Sequence, residues 1–217
     1  MAVRALGILS AVGLLVGLVM AFGVAPRETT QGNVQRIMYV HPPLAWVSYL
    51  AFVVVAVASV AYLVRRRPAA DRVAHASAEV GVVFTGLAIA TGSIWGKPTW
   101  GTWWTWDARL TSVAILFVMY LGYLLLRGTV EDRERAARYC AVLGIVAALD
   151  MPLVHFSVYW WRTLHQPPSL MKPGGFTGSS AILWPLLVNV GAFTVLYAYL
   201  LAKRVRLLRA EAEEAFA

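Results

Sequence analysis

A single cysteine, Cys140, stands in a chain of 217 residues. A lone cysteine excludes an intrachain disulfide, a CxxC redox pair and a thiolate metal cage. Charge is scarce too: 14% of residues are Asp, Glu, Lys or Arg and 59% are hydrophobic, where a soluble domain carries about 25% charged residues. No Walker motif, HExxH, GxSxG or GxGxxG occurs in a usable context, so nothing points to a nucleotide site or a hydrolase. No convincing internal repeat is visible, and the segments between apolar runs are too short for a separate soluble domain. With a mean hydropathy of +0.65 and repeated apolar runs of roughly 20 residues, the chain reads as a polytopic membrane protein.

Six runs read as transmembrane helices, at about 5–25, 44–64, 79–95, 111–126, 139–159 and 182–201. The expected architecture is one all-α membrane domain over 1–217. The first run follows Arg4 and exceeds the roughly 7–15 apolar residues of a signal peptide, so it reads as a retained span. Cleavage near Ala25 would leave the remaining topology unchanged. A net charge of +8 would suggest nucleic acid for a soluble protein, but here the cations cluster at the ends of apolar runs. Counted by side, 13 Lys and Arg flank the end that holds Arg4, Arg65–Arg67 and Lys203–Arg204. The other end has 6: Arg27, Arg36, Lys97, Arg109, Arg162 and Lys172. The positive-inside rule then puts both termini in the cytoplasm. The C-terminal RLLRAEAEEAFA reads as a charged helical extension.

The segment 95–112, WGKPTWGTWWTWDARLTS, carries five of the nine tryptophans: Trp95, Trp100, Trp103, Trp104 and Trp106. No amphipathic helix period fits them. In the expected topology this segment faces outward, and Trp46, Trp160, Trp161 and Trp184 share its face. An ordinary interfacial belt anchors both membrane surfaces. A one-sided distribution favours a platform for a flat ligand, because indole offers a planar apolar face and one N–H donor.

Two of the four histidines also fall on outward segments. His41 lies just before span two in YVHPP, and His165 just after span five in WWRTLHQPP, each followed by a proline pair (Pro42–Pro43, Pro167–Pro168). Neutral imidazoles are common haem-iron ligands and two can cap one iron. The competing reading is two loop histidines bonded to nearby backbone. His75 reads as a solvated loop residue and His155 as a packed one. Outward arginines, Arg36 and Arg109 among them, suit carboxylate arms such as haem propionates. Asp107 reads as the N-cap of span four, as an orienting group for a ligand, or as the partner of Arg109. Asp150, mid-span and beside Pro152, is either functional or bonded within the bundle. Glu79 reads as interfacial.

With these residues in view, the chain resembles the cytochrome c maturation protein C family of membrane haem-handling proteins. WGKPTWGTWWTWDARLTS resembles the "WWD" signature shared with larger haem lyases. MYVHPPLAW and VHFSVYWWRTLHQPPS resemble the family's histidine-bearing loops. The resemblance implies a non-enzymatic role in c-type cytochrome biogenesis, at the outer face of the cytoplasmic (inner) membrane. His41 and His165 would be the axial ligands of haem iron. Trp95, Trp100, Trp103, Trp104, Trp106 and Asp107 would hold a transiently bound, non-covalent haem b, with Arg36 and Arg109 as further contacts. Its partners would be membrane lipid, a membrane-anchored haem chaperone of the maturation protein E type, an ATP-binding transporter pair (proteins A and B) and a small single-span protein (protein D), with no nucleic acid. A b-type membrane oxidoreductase would need histidines deeper in the spans, where only His155 stands. A secondary transporter would need a midplane site, hinted at only by Asp150-Met151-Pro152.

Overall fold

The computed structural model describes residues 1–167, 175–176 and 178–214. The chain forms α1 (Ala2–Val19, continued by a π-helical turn over Met20–Val24), a 3₁₀ segment (Val34–Tyr39), α2 (His41–Arg65), α3 (Pro68–Trp100), α4 (Ala108–Thr129), α5 (Arg133–Ala148), α6 (Asp150–Trp160) and α7 (Ser180–Glu214). Among the described residues, six helical stretches are long and apolar enough to cross a membrane, with α5 and α6 together making one of them. Pro168 and Lys172 lie outside the described residues.

The helix boundaries follow local chemistry. Pro42 and Pro43 occupy the first turn of α2, where a missing N–H is harmless. That helix stops at Arg66, whose φ of 51° is left-handed, and Pro68 starts the next. Gly101, with φ of 80°, ends α3 as glycine allows without steric cost. Asp107 and Asp132 cap α4 and α5, accepting from Leu110 N at 2.8 Å and Arg135 N at 2.7 Å. The break between α5 and α6 falls at Leu149, just ahead of Pro152.

Spans two to six reach past both ends of their apolar runs, because polar residues continue the helix, and α7 runs unbroken to Glu214. Span one starts earlier than expected, at Ala2, and stops at Val24. His75 is a correction of the same kind. It lies within α3 beside Glu79, at 3.4 Å, and not in a solvated loop. Glu79 also accepts from Arg204 of α7 at 2.9 Å, and Asp71 of α3 pairs with Arg127 of α4. These pairs tie three spans together at one end of the bundle.

Small residues let the helices approach closely. The Phe52 ring stacks on Tyr120 with centroids 3.7 Å apart, and a Cβ on Gly81 would lie 2.7 Å from Phe52. Span one is held by α7: Asn189 donates to Gly17 O at 3.0 Å, and a Cβ on Gly17 would meet its Oδ1 at 2.5 Å. The helix directions bring the start of α2, the end of α3, the start of α4, the end of α6 and the start of α7 to the opposite end of the bundle. All nine tryptophans gather there.

Candidate functional site

At the tryptophan end, α2, α3, α4 and α6 diverge around an open cleft with about 700 Å³ of empty space, the adjoining solvent included. The segment 95–112 contributes one wall in two parts. Trp95 to Trp100 form the last turns of α3, and only 101–107 is irregular. His41 and His165, 124 residues apart in the chain, both line this cleft, as do Trp100, Trp103, Trp104 and Arg109.

His41 is the first residue of α2 and its ring lies against α3. Nδ1 is 3.0 Å from Ala88 O and 3.3 Å from Thr91 Oγ1. The Thr91 hydroxyl donates to Leu87 O at 2.8 Å, so both neighbours of Nδ1 are acceptors. The proton is therefore assigned to Nδ1, which leaves the Nε2 lone pair bare. The ring reaches this position because residue 92 is glycine; a Cβ there would lie 2.9 Å from His41 Cε1. Trp95 meets the imidazole edge-on at 5.9 Å and donates its indole N–H to Gln31 Oε1 at 2.9 Å, which docks the loop between spans one and two.

His165 sits in the loop after α6. Its ring packs edge-on against Trp100, centroids 4.7 Å apart, and its Nδ1 is buried without a hydrogen-bond partner. Burial pushes the imidazole down to about 4, with the Arg109 guanidinium adding to the effect. A neutral ring at physiological pH keeps a lone pair available for a metal.

Asp107 joins this loop to α4. One carboxylate oxygen caps the helix, and the other accepts from Leu164 N at 3.0 Å. Both oxygens bond backbone, and no ion pair within 4.0 Å joins Asp107 to Arg109, so the expected pairing of the two is not formed. Among the described residues Arg109 forms no ion pair within 4.0 Å, leaving a cation on a largely apolar cleft.

Arg36 lies elsewhere. Its guanidinium donates to Ala21 O at 2.8 Å and Ala25 O at 3.4 Å, closing the carbonyl end of span one. Trp106 is 78% exposed and touches Trp104 edge-on at 5.5 Å. Trp95, Trp106 and Asp107 thus support the lining without belonging to it.

Two cleft residues escape a sequence reading. Tyr49 follows His41 and Ala45 at helical spacing on α2, a stripe that a search for polar residues one and two turns after His41 would have found. Thr105 is hidden among the tryptophans. The Tyr49 hydroxyl, Thr105 Oγ1, Trp104 Nε1 and His165 Nδ1 are all buried without partners. Four orphaned polar atoms on one apolar cleft fit a site built for a ligand that brings its own polar edge. Two imidazoles with a cation and flat indoles suit an iron macrocycle carrying carboxylates.

Comparisons with known proteins agree in direction. A family model described as CcmC, Heme exporter protein C, matches residues 1–216. The chain is 50% identical over 188 residues to "Heme exporter protein C" of Bradyrhizobium diazoefficiens, covering 86% of this chain and 72% of that one. It is 41% identical over 201 residues to the protein of that name in Escherichia coli strain K12, covering 93% and 81%. A "Putative cytochrome c biosynthesis ccmC-like mitochondrial protein" of Arabidopsis thaliana is 39% identical over 189 residues, covering 87% and 71%.

Proposed function

The chain belongs to the Heme exporter protein C family, and from that premise we propose that it serves haem export for c-type cytochrome biogenesis by holding haem in the tryptophan-walled cleft and handing it on. Haem is the cargo here, not a resident cofactor. The observation that carries the reading is the meeting of His41 and His165 on one cleft, the first with Nε2 freed by its bond to Ala88 O. In this reading both imidazoles ligate the iron, Trp100, Trp103 and Trp104 cover the macrocycle, and Arg109 receives a propionate. Asp107 positions His165 through Leu164. Arg36, Trp95 and Trp106 act at one remove, by holding the surrounding loops.

The cleft lies on the outer face of the inner membrane, following the uneven Lys and Arg distribution. Its open mouth lets a membrane-anchored chaperone of the maturation protein E type take the haem while Trp103, 58% exposed, still covers it. Energy comes from the ATP-binding pair, proteins A and B, and the small single-span protein D completes the complex. Haem is bound non-covalently as haem b, and the chain itself makes and breaks no covalent bond. Haem staining of a co-expressed chaperone tests this: full labelling with wild type, and loss of labelling with the His41→Ala, His165→Ala double variant. Undiminished labelling with that variant would count against it.

A second reading attaches to the interrupted fifth span. Asp150 Oδ2 is buried without a partner beside the α5–α6 break, as at the broken helices of transporters. If Asp150→Asn abolishes haem at the outer face while the spectrum of the cleft stays normal, this residue serves translocation.

A further inference from the structure

Away from the cleft, at the end of the bundle where α1 starts and α7 leaves the membrane, these two helices bound a groove with about 1140 Å³ of open space. Each helix presents one stripe to it. On α7 the stripe is Tyr199, Lys203, Arg206 and Leu207, spaced i, i+4, i+7 and i+8; α1 answers with Arg4, Gly7, Ile8 and Ala11. Gly7 sets its depth, because a Cβ there would press on the Tyr199 ring at 3.0 Å.

The cations of α7 divide by face. Arg204 is bound to Glu79 and Glu211, and Arg209 to Glu213. Lys203, Arg206 and Arg4, which face the groove, have no carboxylate within 4.0 Å among the described residues. Glu214, the acid on the same stripe, lies eight residues past Arg206, about 12 Å along the helix. Three free cations thus stand at the rim of a groove whose inner wall is apolar. Along α1 that wall continues into the exposed side chains of Ile8 and Leu15.

We propose that this groove is a binding site for an anionic phospholipid. The phosphate sits among Arg4, Lys203 and Arg206, and one acyl chain lies along the exposed face of α1. Charge complementarity at a membrane surface selects this occupant: basic pockets between transmembrane helices bind acidic headgroups, and the apolar wall below takes the chain. The site is independent of the haem cleft, so the two stand or fall separately.

The test is native mass spectrometry of the full chain titrated with phosphatidylglycerol and with phosphatidylcholine. Wild type should favour phosphatidylglycerol. The groove variant R4Q/K203Q/R206Q should lose that preference by on the order of 100-fold, about fivefold for each cation near the surface. The variant R135Q/R138Q/R209Q, which removes equal charge from the same end outside the groove, should keep it. All six side chains are exposed, so thermal melts of both variants should match wild type; if the triple change impairs folding, R4Q and K203Q alone should each lose about fivefold. Equal binding of the two lipids by wild type, an unaffected groove variant, or equal losses in both triple variants would overturn the site. So would displacement of phosphatidylglycerol when the companion exporter proteins assemble on the chain, which would give the groove to a protein helix.

Discussion

At the scale of single residues, the cleft depends on a glycine and on a half-buried imidazole. Gly92 leaves the His41 ring its place against α3, where a methyl group would sit 2.9 Å from Cε1. Gly92→Ala should therefore displace the ring, break its bond to Ala88 O and weaken haem retention by about 10–100-fold, the range for losing the partner that orients a metal-bound histidine. Haem content per protein after purification measures this, and an unchanged content would mean that His41 needs no such placement. His165 has a pH consequence. Its folded imidazole titrates at about 4 and an unfolded one near 6.5. Between these values the unfolded chain binds the proton and the folded chain does not, so the contribution of His165 to stability falls as the pH drops from about 6.5 to about 4 and is constant below. Thermal melts of the haem-free protein should show this slope, and His165→Phe should make it shallower.

At the scale of elements, Asp107 couples a helix start to a distant loop. Asp107→Asn keeps an oxygen for Leu110 N, since asparagine caps as well as aspartate, but its amide nitrogen cannot accept from Leu164 N. Asp107→Ala loses both, with a further cost of about 1 kcal/mol for the cap. Both variants should release the His165 loop and lose haem, while only the alanine variant lowers the melting temperature. Equal melting temperatures, with haem retained by the asparagine variant, would mean that the loop is held by other contacts. The six spans were legible in the sequence because a bilayer demands runs of about 20 apolar residues. Their true ends were not, because helices continue through polar residues once capped by Asp107 or Asp132. The role of Arg36 was hidden for another reason: a guanidinium suits backbone carbonyls as well as a propionate, and only the fold shows the end of span one beside it.

At the scale of the whole molecule, the bundle separates two kinds of end. One holds nine tryptophans and the cleft; the other holds the ion pairs Arg127–Asp71 and Arg204–Glu79. Local sequence puts His41 and His165 at span ends expected on one face, and the structure places His41 on the first turn of α2 and His165 in the loop after α6. Their convergence on one cleft is a product of helix packing and has no local signature. The proposed orientation across the bilayer rests on the cation distribution alone. With Cys140 replaced by serine, a cysteine at Trp106 should react with a membrane-impermeant maleimide in intact cells, and one at Arg67 only after permeabilisation. The reverse pattern would invert the topology and place the cleft inside.

The central claim is that His41 and His165 ligate one haem. Absorption spectra of detergent-purified wild type, both single alanine variants and the double variant address it directly. Wild type should show a six-coordinate, low-spin b-type haem, each single variant a changed spectrum or lost haem, and the double variant no bound haem. A double variant with the wild-type spectrum would contradict the account.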